Sequence, residues 1–488
     1  MNNSSRSMTS SNKTPSLKRI PTGVPGLDEI TTGGLLSSGV YIFQGTPGAG
    51  KTILANQICF HHVRQGGHAV YLTLLSESHA RLFQHLQGMA FFDLGLIPSS
   101  ITFISGFEAL QSGGLAGVTA LLRGEMRARK AELVVLDGLV MGSLNAKSAE
   151  DLKLFISELQ AFSALVGCTM LLLASDHPDS PVTAEQTMVD GIFKLRERAY
   201  GPMRERNLEV MKFRGSATLR GNHAFDISDD GITVYPRLEA ALRHSPGPSG
   251  NRSVGTGVEG LDDMMGGEGY ALGTVTGIIG YAGAGRTVLA LHFVAQATPE
   301  EPALYFGFCE SPDFLVQIGE SFGLPLKQLV NSGSLSFVWQ QFGENMLDQL
   351  AYRLLKAVQD TGAKRVVIDG IGGFVATAAY AERGSSFFAS LTNELRRLGA
   401  ATLFLMEEDD PSTPSPPLTT ADLSALSESV LNLWVQTGVK TRRFLSIGKI
   451  RNRVYDQRRG KLVLSNHGLR VMLADQATTD SQNEVSKD

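Results

Sequence analysis

An eight-residue stretch near the amino terminus has the composition and spacing of a loop that binds the phosphates of a nucleotide. Its glycines let the backbone wrap closely around phosphate oxygens, so that several N–H groups point at the anion. The lysine near its end supplies positive charge to the β- and γ-phosphates, and the hydroxyl group after it is a ligand for Mg²⁺. The stretch consists of Gly45, Thr46, Pro47, Gly48, Ala49, Gly50, Lys51 and Thr52. We therefore predict a site for ATP and Mg²⁺ here, with Lys51 also acting in catalysis.

A second copy of this loop, altered at the lysine position among others, occurs 235 residues further along the chain. Its lysine is replaced by arginine, and the threonine after it is retained. Arginine keeps the positive charge, but its planar guanidinium group is bulkier and holds phosphate in a different geometry. The predicted nucleotide contacts are Gly280, Gly283, Gly285, Arg286 and Thr287. The altered loop favours a site that binds nucleotide with weak or no turnover, while normal turnover and an empty site stay open as alternatives.

Two aspartates end apolar stretches that have the composition of buried strands. Asp137 ends the run Leu-Val-Val-Leu-Asp, and Asp369 ends the run Arg-Val-Val-Ile-Asp. A carboxylate in this place can hold Mg²⁺ through the water shell of the ion, although an aspartate that caps a helix would look the same. Recurrence behind a phosphate-binding loop favours the metal site. Its predicted ligands are Thr52, Asp137, Thr287 and Asp369.

Hydrolysis also needs a group that orients or deprotonates the attacking water. Glu77 and Glu310 each follow the apolar run that comes after a phosphate-binding loop and its helix. A surface glutamate in the first turn of a helix would look the same locally. Their shared place in the repeat predicts that Glu77 is catalytic, and Glu310 less so because it lies beside the altered loop.

The chain as a whole is duplicated once. Four landmarks recur in the same order at offsets of 232 to 237 residues, which is far too long for a solenoid and indicates two whole domains. We predict a first domain over residues 19–242 and a second over 254–473. A linker rich in proline, glycine and serine covers 243–253. The polar ends, 1–18 and 474–488, are predicted to be disordered.

Within each repeat, short apolar runs alternate with segments whose apolar residues have helical spacing. Continuous apolar strands that alternate with helices indicate a parallel sheet covered on both faces. Later stretches of the first repeat look like antiparallel strands added to that sheet. The predicted fold class is therefore α/β, with two tandem P-loop domains, each a mainly parallel sheet flanked by helices with added antiparallel strands. A proline-rich stretch, Asp409–Thr420, is predicted to be an exposed loop.

The composition limits the class of protein. Hydrophobic residues make up 42% of the chain and charged residues 19%, and the net charge is −4. This balance is typical of globular proteins and gives no overall attraction to nucleic acid, so a nucleic-acid partner is not expected. The three cysteines form no CxxC pair, and no apolar run approaches the roughly 20 residues that span a bilayer. We expect a soluble, cytoplasmic protein without a membrane partner.

Taken together, these motifs resemble the KaiC family over nearly the whole chain. The resemblance is carried by the opening stretch Thr22–Leu35, the first phosphate-binding loop, the strand ending Leu-Asp-Gly-Leu and the late stretch Lys-Phe-Arg-Gly-Ser. It implies two RecA-like ATPase domains, stacked as two rings of a homohexamer with ATP between neighbouring subunits. By the same resemblance, Lys212 and Arg214 act in catalysis on the nucleotide of a neighbouring subunit, and Lys449 and Arg451 contact the second nucleotide. Partner proteins of a signalling or clock system are also implied.

The sequence departs from that family in three places. Where the family has two adjacent glutamates, the first position holds Ser76 in one repeat and Cys309 in the other. The second loop contains Arg286. The Ser-Thr phosphorylation pair of the clock proteins reads Ser424-Ala425. We therefore expect an ATPase whose hydrolysis resides mainly in the first domain and whose nucleotide state governs partner docking. The alternatives are a Ser/Thr autokinase modified at Ser424 or Ser427, and a RecA/RadA-like DNA-dependent ATPase.

Overall fold

The chain folds into two compact units, Met1–Ala240 and Ala241–Asp488. The computed structural model describes residues 17–75, 79–139, 149–175, 188–200, 203–241, 252–341, 343, 345–377, 381–408, 419–438, 440–451 and 453–473. Each unit contains one nine-stranded mixed sheet flanked by helices. The predicted fold class is thereby confirmed, while the exact limits of the domains and of the linker stay predictions.

The first unit places its phosphate-binding strand in the middle of the sheet. The strand order is β11-β10-β9-β8-β3-β7-β6-β4-β5, in which β8, β3, β7, β6, β4 and β5 run parallel and β9 to β11 alternate antiparallel. The strands are β1 Arg19–Ile20, β2 Leu35–Leu36, β3 Val40–Gly45, β4 Ala69–Thr73, β5 Ile101–Ser105, β6 Leu133–Asp137, β7 Thr169–Ser175, β8 Gly191–Tyr200, β9 Met203–Phe213, β10 Asn222–Ser228 and β11 Gly231–Tyr235. The helices are α1 Leu27–Ile30, α2 Lys51–Arg64, α3 His79–Leu86, α4 Phe107–Arg129, which is broken at Gly114, and α5 Ala149–Val166.

The second unit repeats this topology strand for strand. Its order is β16-β15-β17-β18-β14-β19-β20-β21-β22, with the phosphate-binding strand β14 again in the middle. The strands are β12 Ser253–Val254, β13 Tyr270–Ala271, β14 Val275–Gly280, β15 Ala303–Gly307, β16 Leu335–Trp339, β17 Arg365–Asp369, β18 Ala401–Glu407, β19 Ser429–Gln436, β20 Arg442–Ile450, β21 Gly460–Ser465 and β22 Gly468–Leu473. The helices are α6 Leu261–Met264, α7 Arg286–Val294, α8 Pro312–Ser321, α9 Leu326–Asn331, α10 Leu347–Thr361, α11 Ile371–Ala376, α12 Gly384–Leu398 and α13 Thr420–Leu426.

The central strands are buried on both faces because successive side chains point to opposite sides of the sheet. In β3, Tyr41 and Phe43 pack into the core that contains α2. Val40 and Ile42 belong to the opposite core, which contains residues of α4 and α5. In the second unit, one face of the sheet carries instead a cluster of phenylalanines that includes Phe374. Burial on both faces explains why these strands read as continuous apolar runs.

Two features of the sheet were not predicted from sequence. The edge strands β5 and β16 were not recognised, and neither were β8 and β19, which lie between the phosphate-binding strand and the antiparallel extension.

The loop predicted over Asp409–Thr420 extends too far at its end. Residues 409–418 lie outside the described residues, but Thr419 caps α13 and Thr420 begins it. The Thr419 side chain accepts the N–H of Asp422, and this capping box starts the helix earlier than the proline content suggested.

No helix in the described part of the chain is both long enough and apolar enough to cross a bilayer.

In both units, a side chain of the helix after the phosphate-binding loop is hydrogen-bonded to the last strand. In the first unit, Gln57 donates to the Ile232 carbonyl oxygen at 3.1 Å and accepts the Ile232 N–H at 2.7 Å. In the second unit, His292 takes this place: its Nε2 accepts the Leu469 N–H at 2.8 Å, while its Nδ1 lies 2.8 Å from the Val288 carbonyl oxygen. These two contacts require the neutral tautomer with the proton on Nδ1.

The imidazole of His292 should make the stability of the second unit depend on pH. Burial lowers the pKa of His292 below its usual value. The unfolded chain therefore binds a proton that the folded unit does not, in the window from about pH 6.5 down to the lowered pKa. The free energy of unfolding should fall on acidification through this window, by at most about 1.4 kcal/mol per pH unit for one proton. Both tryptophans, Trp339 and Trp434, lie in this unit, so denaturant unfolding followed by tryptophan fluorescence reports on it alone.

The control follows from the duplication. His292→Gln places the side chain that the first unit uses, so it should retain the contact to β22 and remove this part of the pH dependence. His467→Gln changes an exposed histidine of the same unit and should leave the dependence intact. An unchanged pH dependence in His292→Gln would contradict the assignment.

Candidate functional site

The first phosphate-binding loop connects the carboxyl end of β3 to the amino end of α2. Gly48 and Gly50 have φ angles of 83° and 96°, in the left-handed region that favours glycine. At Gly50 a Cβ atom would also lie 2.9 Å from Cδ1 of Ile227, whereas at Gly48 it would meet open space. The loop therefore holds its backbone tightly on the core side and leaves space on the outer side, as the binding of a phosphate chain requires.

The ammonium group of Lys51 lies within this loop. Its Nζ donates to the Gly45 carbonyl oxygen at 2.7 Å and to the Thr46 carbonyl oxygen at 2.9 Å. The positive charge is thereby held beside the amino end of α2, where the helix dipole also favours an anion.

Across the same end of the sheet, the carboxylate of Asp137 faces the first turn of α2. Thr52 Oγ1 donates to Asp137 Oδ2 at 3.4 Å, and the Tyr71 hydroxyl group donates to the same oxygen at 2.6 Å. Burial raises the pKa of Asp137, while the hydrogen bonds from Tyr71 and Thr52 and the charge of Lys51 act to lower it. The structure thus brings together Lys51, Thr52 and Asp137, three of the residues predicted from sequence.

Tyr71 was missed in the sequence analysis. A signal was available, because a tyrosine recurs in the second repeat at Tyr305, 234 residues later. The hydroxyl group of Tyr305 likewise donates to Asp369 Oδ2. In both units a buried tyrosine therefore positions the strand-ending carboxylate.

The oxygen atoms at this site suit Mg²⁺. A hydroxyl group and a carboxylate are hard oxygen ligands, and Mg²⁺ typically combines one or two such groups with water and phosphate oxygens. Within the described part of the chain, no group of three or more His, Cys, Asp or Glu residues could hold a metal ion by itself. A site completed by phosphate oxygens fits this donor set better than an all-protein metal cage.

The second unit builds the same arrangement around Arg286. Gly283 and Gly285 have φ angles of 75° and 102°, and Thr287 Oγ1 donates to Asp369 Oδ2 at 3.4 Å. Burial raises the pKa of Asp369, as it does for Asp137. The geometry of the two predicted metal ligands is therefore retained in the second unit.

The difference lies in the cation. Instead of donating to loop carbonyl groups, Arg286 lies with a guanidinium nitrogen 3.6 Å from Glu407 Oε2. Glu407 ends β18, and Gly280 pairs with it in the sheet. In the first unit the corresponding partner of Gly45 is Ser175, which is uncharged. Sequence reasoning did not find Glu407, and no local motif marks it.

Of the two predicted water-activating carboxylates, Glu310 lies among the described residues. Glu77 and its neighbour Ser76 lie outside the described residues. Glu310 is half-buried, and burial followed by the charge of Asp369 raises its pKa, while Arg286 acts to lower it. Cys309 beside it is exposed. The structure places Glu310 within electrostatic reach of both Asp369 and Arg286, and its role stays a prediction.

The residues predicted to act on a neighbouring subunit lie at the other end of the sheet. Lys212 pairs with Ile192, which pairs with Ile42, three residues before Gly45. At about 3.3 Å per residue, this row is roughly 10 Å from the phosphate-binding loop of the same unit, and Arg214 lies further still. Arg214 donates to the Met188 carbonyl oxygen at 3.0 Å. The structure does not bring Lys212 or Arg214 to the loop of their own unit.

A cleft of about 500 Å³ opens at this same end of the first sheet, and its lining includes Tyr41, Asp190 and Arg214. It is separate from the phosphate-binding loop.

The second unit repeats the separation. Lys449 pairs with Val430, which pairs with Gly277, again three residues before the loop. Lys449 Nζ donates to the Ser424 carbonyl oxygen, and Arg451 donates to the Ala425 carbonyl oxygen at 2.8 Å. Both cations therefore contact the carboxyl end of α13, where positive charge is favourable.

The two candidate phosphorylation sites differ in access. Ser427 is fully buried, and its hydroxyl group donates to the Leu423 carbonyl oxygen at 2.7 Å. Ser424 is half-buried on α13. Of the two, only Ser424 presents part of its surface to solvent.

Comparisons with known proteins agree on one family. A model of the KaiC ATPase family matches the chain twice, over residues 20–239 and 254–476. The circadian clock protein KaiC2 of Synechocystis sp. is 26% identical over 481 residues, or 96% of this chain and 84% of the relative. The circadian clock oscillator protein KaiC of Rippkaea orientalis is 23% identical over 467 residues, or 93% of this chain and 88% of the relative. The circadian clock protein KaiC3 of Synechocystis sp. is 23% identical over 485 residues, or 94% and 92%.

Tyr71→Phe should shift the pH dependence of Mg²⁺ use at the first site. The hydrogen bond from Tyr71 stabilises the charged form of Asp137, so its loss should raise the pKa of Asp137 further. Because only the carboxylate form holds the cation, the acidic limb of Mg²⁺-dependent ATP turnover should move to higher pH, by about one unit. Turnover titrated with Mg²⁺ from mildly acidic to neutral pH measures this shift.

The matched control is Tyr235→Phe, which removes a hydroxyl group from the edge strand β11 of the same unit. Its acidic limb should coincide with that of the wild type. An acidic limb that does not move in Tyr71→Phe would show that Asp137 does not need this hydrogen bond.

Proposed function

This chain belongs to the KaiC family of ATPases, and from that premise we propose that its first domain binds Mg-ATP and supplies most of the hydrolysis. The observation that carries the proposal is the convergence of Lys51, Thr52 and Asp137 at one end of the first sheet. Lys51 would neutralise the β- and γ-phosphates, and Thr52 and Asp137 would hold Mg²⁺. The ion would supply charge stabilisation for the transferring phosphoryl group.

Glu77 is the proposed residue that orients or deprotonates the attacking water. It follows β4, the strand that carries Tyr71, and β4 pairs with the strand of Asp137. The carboxyl ends of these parallel strands meet at one edge of the sheet, which is where ligands of open α/β sheets bind. This arrangement supports a catalytic Glu77 beside the metal site.

The second domain is proposed to bind nucleotide as a structural or sensing ligand, with little hydrolysis. Thr287 and Asp369 retain the donor set of the metal site, whereas Arg286 is engaged by Glu407 and Cys309 replaces one carboxylate of the family pattern. A misplacement of about 1 Å in such a site can cost a hundredfold in rate.

Sustained autophosphorylation is not expected. The family's threonine is replaced by Ala425, and the hydroxyl group of Ser427 is buried and hydrogen-bonded. A DNA-dependent ATPase is not favoured either, because the net charge of −4 gives no overall attraction to the phosphate backbone.

Assembly into a homohexamer with nucleotide at the subunit interfaces completes the proposal. Lys212 and Arg214 lie too far along the sheet to reach the nucleotide of their own domain, and a neighbouring subunit in a ring would receive them. Lys449 and Arg451 lie in the corresponding place in the second domain.

The relatives are named as circadian clock proteins, and we propose that this chain is a switch of that kind, whose nucleotide state governs docking of signalling or clock partners.

Lys51→Ala should abolish most ATP turnover. Removing one positioned electrostatic contact to the transferring phosphate costs about 2–4 kcal/mol of barrier, so we expect a loss of roughly a hundredfold or more. The measurement is steady-state phosphate release. Lys356→Ala, which removes an exposed lysine on α10, is the control and should turn over like the wild type. Near-normal turnover in Lys51→Ala would move the main hydrolytic site elsewhere.

Nucleotide should also favour ring closure, because a ligand bound between subunits stabilises only the assembled state. Light scattering should detect a hexamer with an ATP analogue and smaller species without nucleotide.

Arg214→Ala should lower turnover, and mixing it with Glu77→Gln subunits should restore part of it, since some interfaces then combine an intact Arg214 with an intact Glu77. Arg129→Ala, a surface arginine of α4, is the control for charge. A monomer under both conditions, or mixing that restores nothing, would refute action between subunits.

A further inference from the structure

The ion pair between Arg286 and Glu407 lies at a place where the two units differ in charge. The Arg286 side chain is 18% exposed and the Glu407 side chain 64% exposed, so the pair lies at the mouth of the second phosphate-binding loop. In the first unit, Lys51 instead donates to two carbonyl groups of its own loop, and Ser175 occupies the place of Glu407. The two units therefore differ at both positions: the second has Arg286 and Glu407 where the first has Lys51 and Ser175.

The place of Glu407 in the sheet indicates which part of a nucleotide it would meet. Strand β18 lies between β14, which enters the phosphate-binding loop, and β17, which ends at Asp369. Glu407 pairs with Gly280, and Asp369 pairs with Leu405, two residues before Glu407. The carboxylate is thus at the edge of the sheet between the loop and the predicted metal ligand. In a P-loop site, this region receives the β- and γ-phosphates.

The charge balance of the region is unfavourable for an added anion. Burial raises the pKa of Cys309, and the charges of Glu310, Asp369 and Glu407 raise it further, so these three carboxylates lie within electrostatic reach of one thiol. Two arginines lie at the loop: Arg286 is already paired with one of these carboxylates, and Arg443 donates from Nε to the Gly283 carbonyl oxygen at 2.8 Å. A γ-phosphate would bring further negative charge beside Glu407 and would compete with it for Arg286. A nucleoside diphosphate has no γ-phosphate and would avoid this competition.

We propose that Glu407 determines the specificity of the second site, by holding Arg286 and repelling a γ-phosphate, so that this site prefers a nucleoside diphosphate to a triphosphate. The inference rests on the proposed binding of nucleotide by the second domain. The second site would then bind ADP, the product that hydrolysis at the first site releases.

The test uses the full-length chain and a probe that resolves the two sites. Azido-ADP is photocrosslinked in the presence of Mg²⁺, and the label is quantified on peptides of each domain. Competition with ADP and with the non-hydrolysable triphosphate AMP-PNP gives the preference of each site without any contribution from turnover. In the wild type, ADP should displace the label from the second domain at about a tenfold lower concentration than AMP-PNP, as expected for one unfavourable unit-charge contact at partial exposure.

Glu407→Ser places the residue of the first domain at this position and should reduce the preference to about twofold or less. Glu408→Ser removes the next carboxylate along the chain and controls for net charge, so the preference should persist. In the reciprocal variant, Lys51→Arg with Ser175→Glu, the first site should shift toward ADP by a similar factor. Because Glu407 is exposed, its replacement is not expected to affect folding.

The outcomes separate the two levels of the proposal. Labelling of the second domain with an equal preference for ADP and AMP-PNP, or a preference that Glu407→Ser leaves unchanged, would overturn the role of Glu407 and leave nucleotide binding intact. An equal effect of Glu408→Ser would reduce the role of Glu407 to one of general charge and would also overturn the assignment. Absence of label from the second domain, with the first domain labelled, would overturn nucleotide binding there and this inference with it.

Discussion

The arrangement of the site depends on one constraint, the common direction of the central strands in each sheet. Because β3, β7 and β6 are parallel neighbours, the loop after β3 and the carboxylate that ends β6 must lie at the same edge. The bond from Thr52 to Asp137 joins these two ends, 85 residues apart in sequence. Close packing on both faces favours the observed register, since a slip of one residue would turn every side chain toward the opposite core.

The duplication separates what this arrangement requires from what it tolerates. A tyrosine that bonds the strand-ending aspartate and a threonine beside it are present in both units. Other contacts are present in both units although a different residue makes them. Gln57 and His292, for example, fix the helix to the last strand with different chemistry. The cation of the loop belongs to neither group, because Lys51 contacts its own loop and Arg286 contacts a carboxylate. At this position, where phosphate is proposed to bind, the two units therefore differ both in the cation and in its contact.

The two ends of each sheet carry different sets of predicted site residues. One end carries the phosphate-binding loop and the oxygens of the predicted metal ligands, and the other carries Lys212 and Arg214 in the first unit. The backbone of Arg214 is tied to the residue just before β8, since its N–H donates to the Asp190 carbonyl oxygen at 2.7 Å. Asp190 in turn accepts the N–H of Val40 at the start of the phosphate-binding strand. Asp190 thereby links the backbone of Arg214 to the first residue of β3, the strand that ends in the phosphate-binding loop.

The sequence by itself determined the duplication, the α/β class and the phosphate-binding loops. These follow from local physics: glycines at positive φ, continuous apolar strands and a contiguous run of loop residues need no knowledge of distant contacts. Only the tertiary structure decided which residues complete the sites. Tyr71 and Asp137 meet because two strands pair, and Arg286 meets Glu407, 121 residues away, because β18 lies beside β14. Such contacts depend on strand order and register, which a single sequence constrains weakly, because any parallel strand of similar apolar composition could have occupied the neighbouring position.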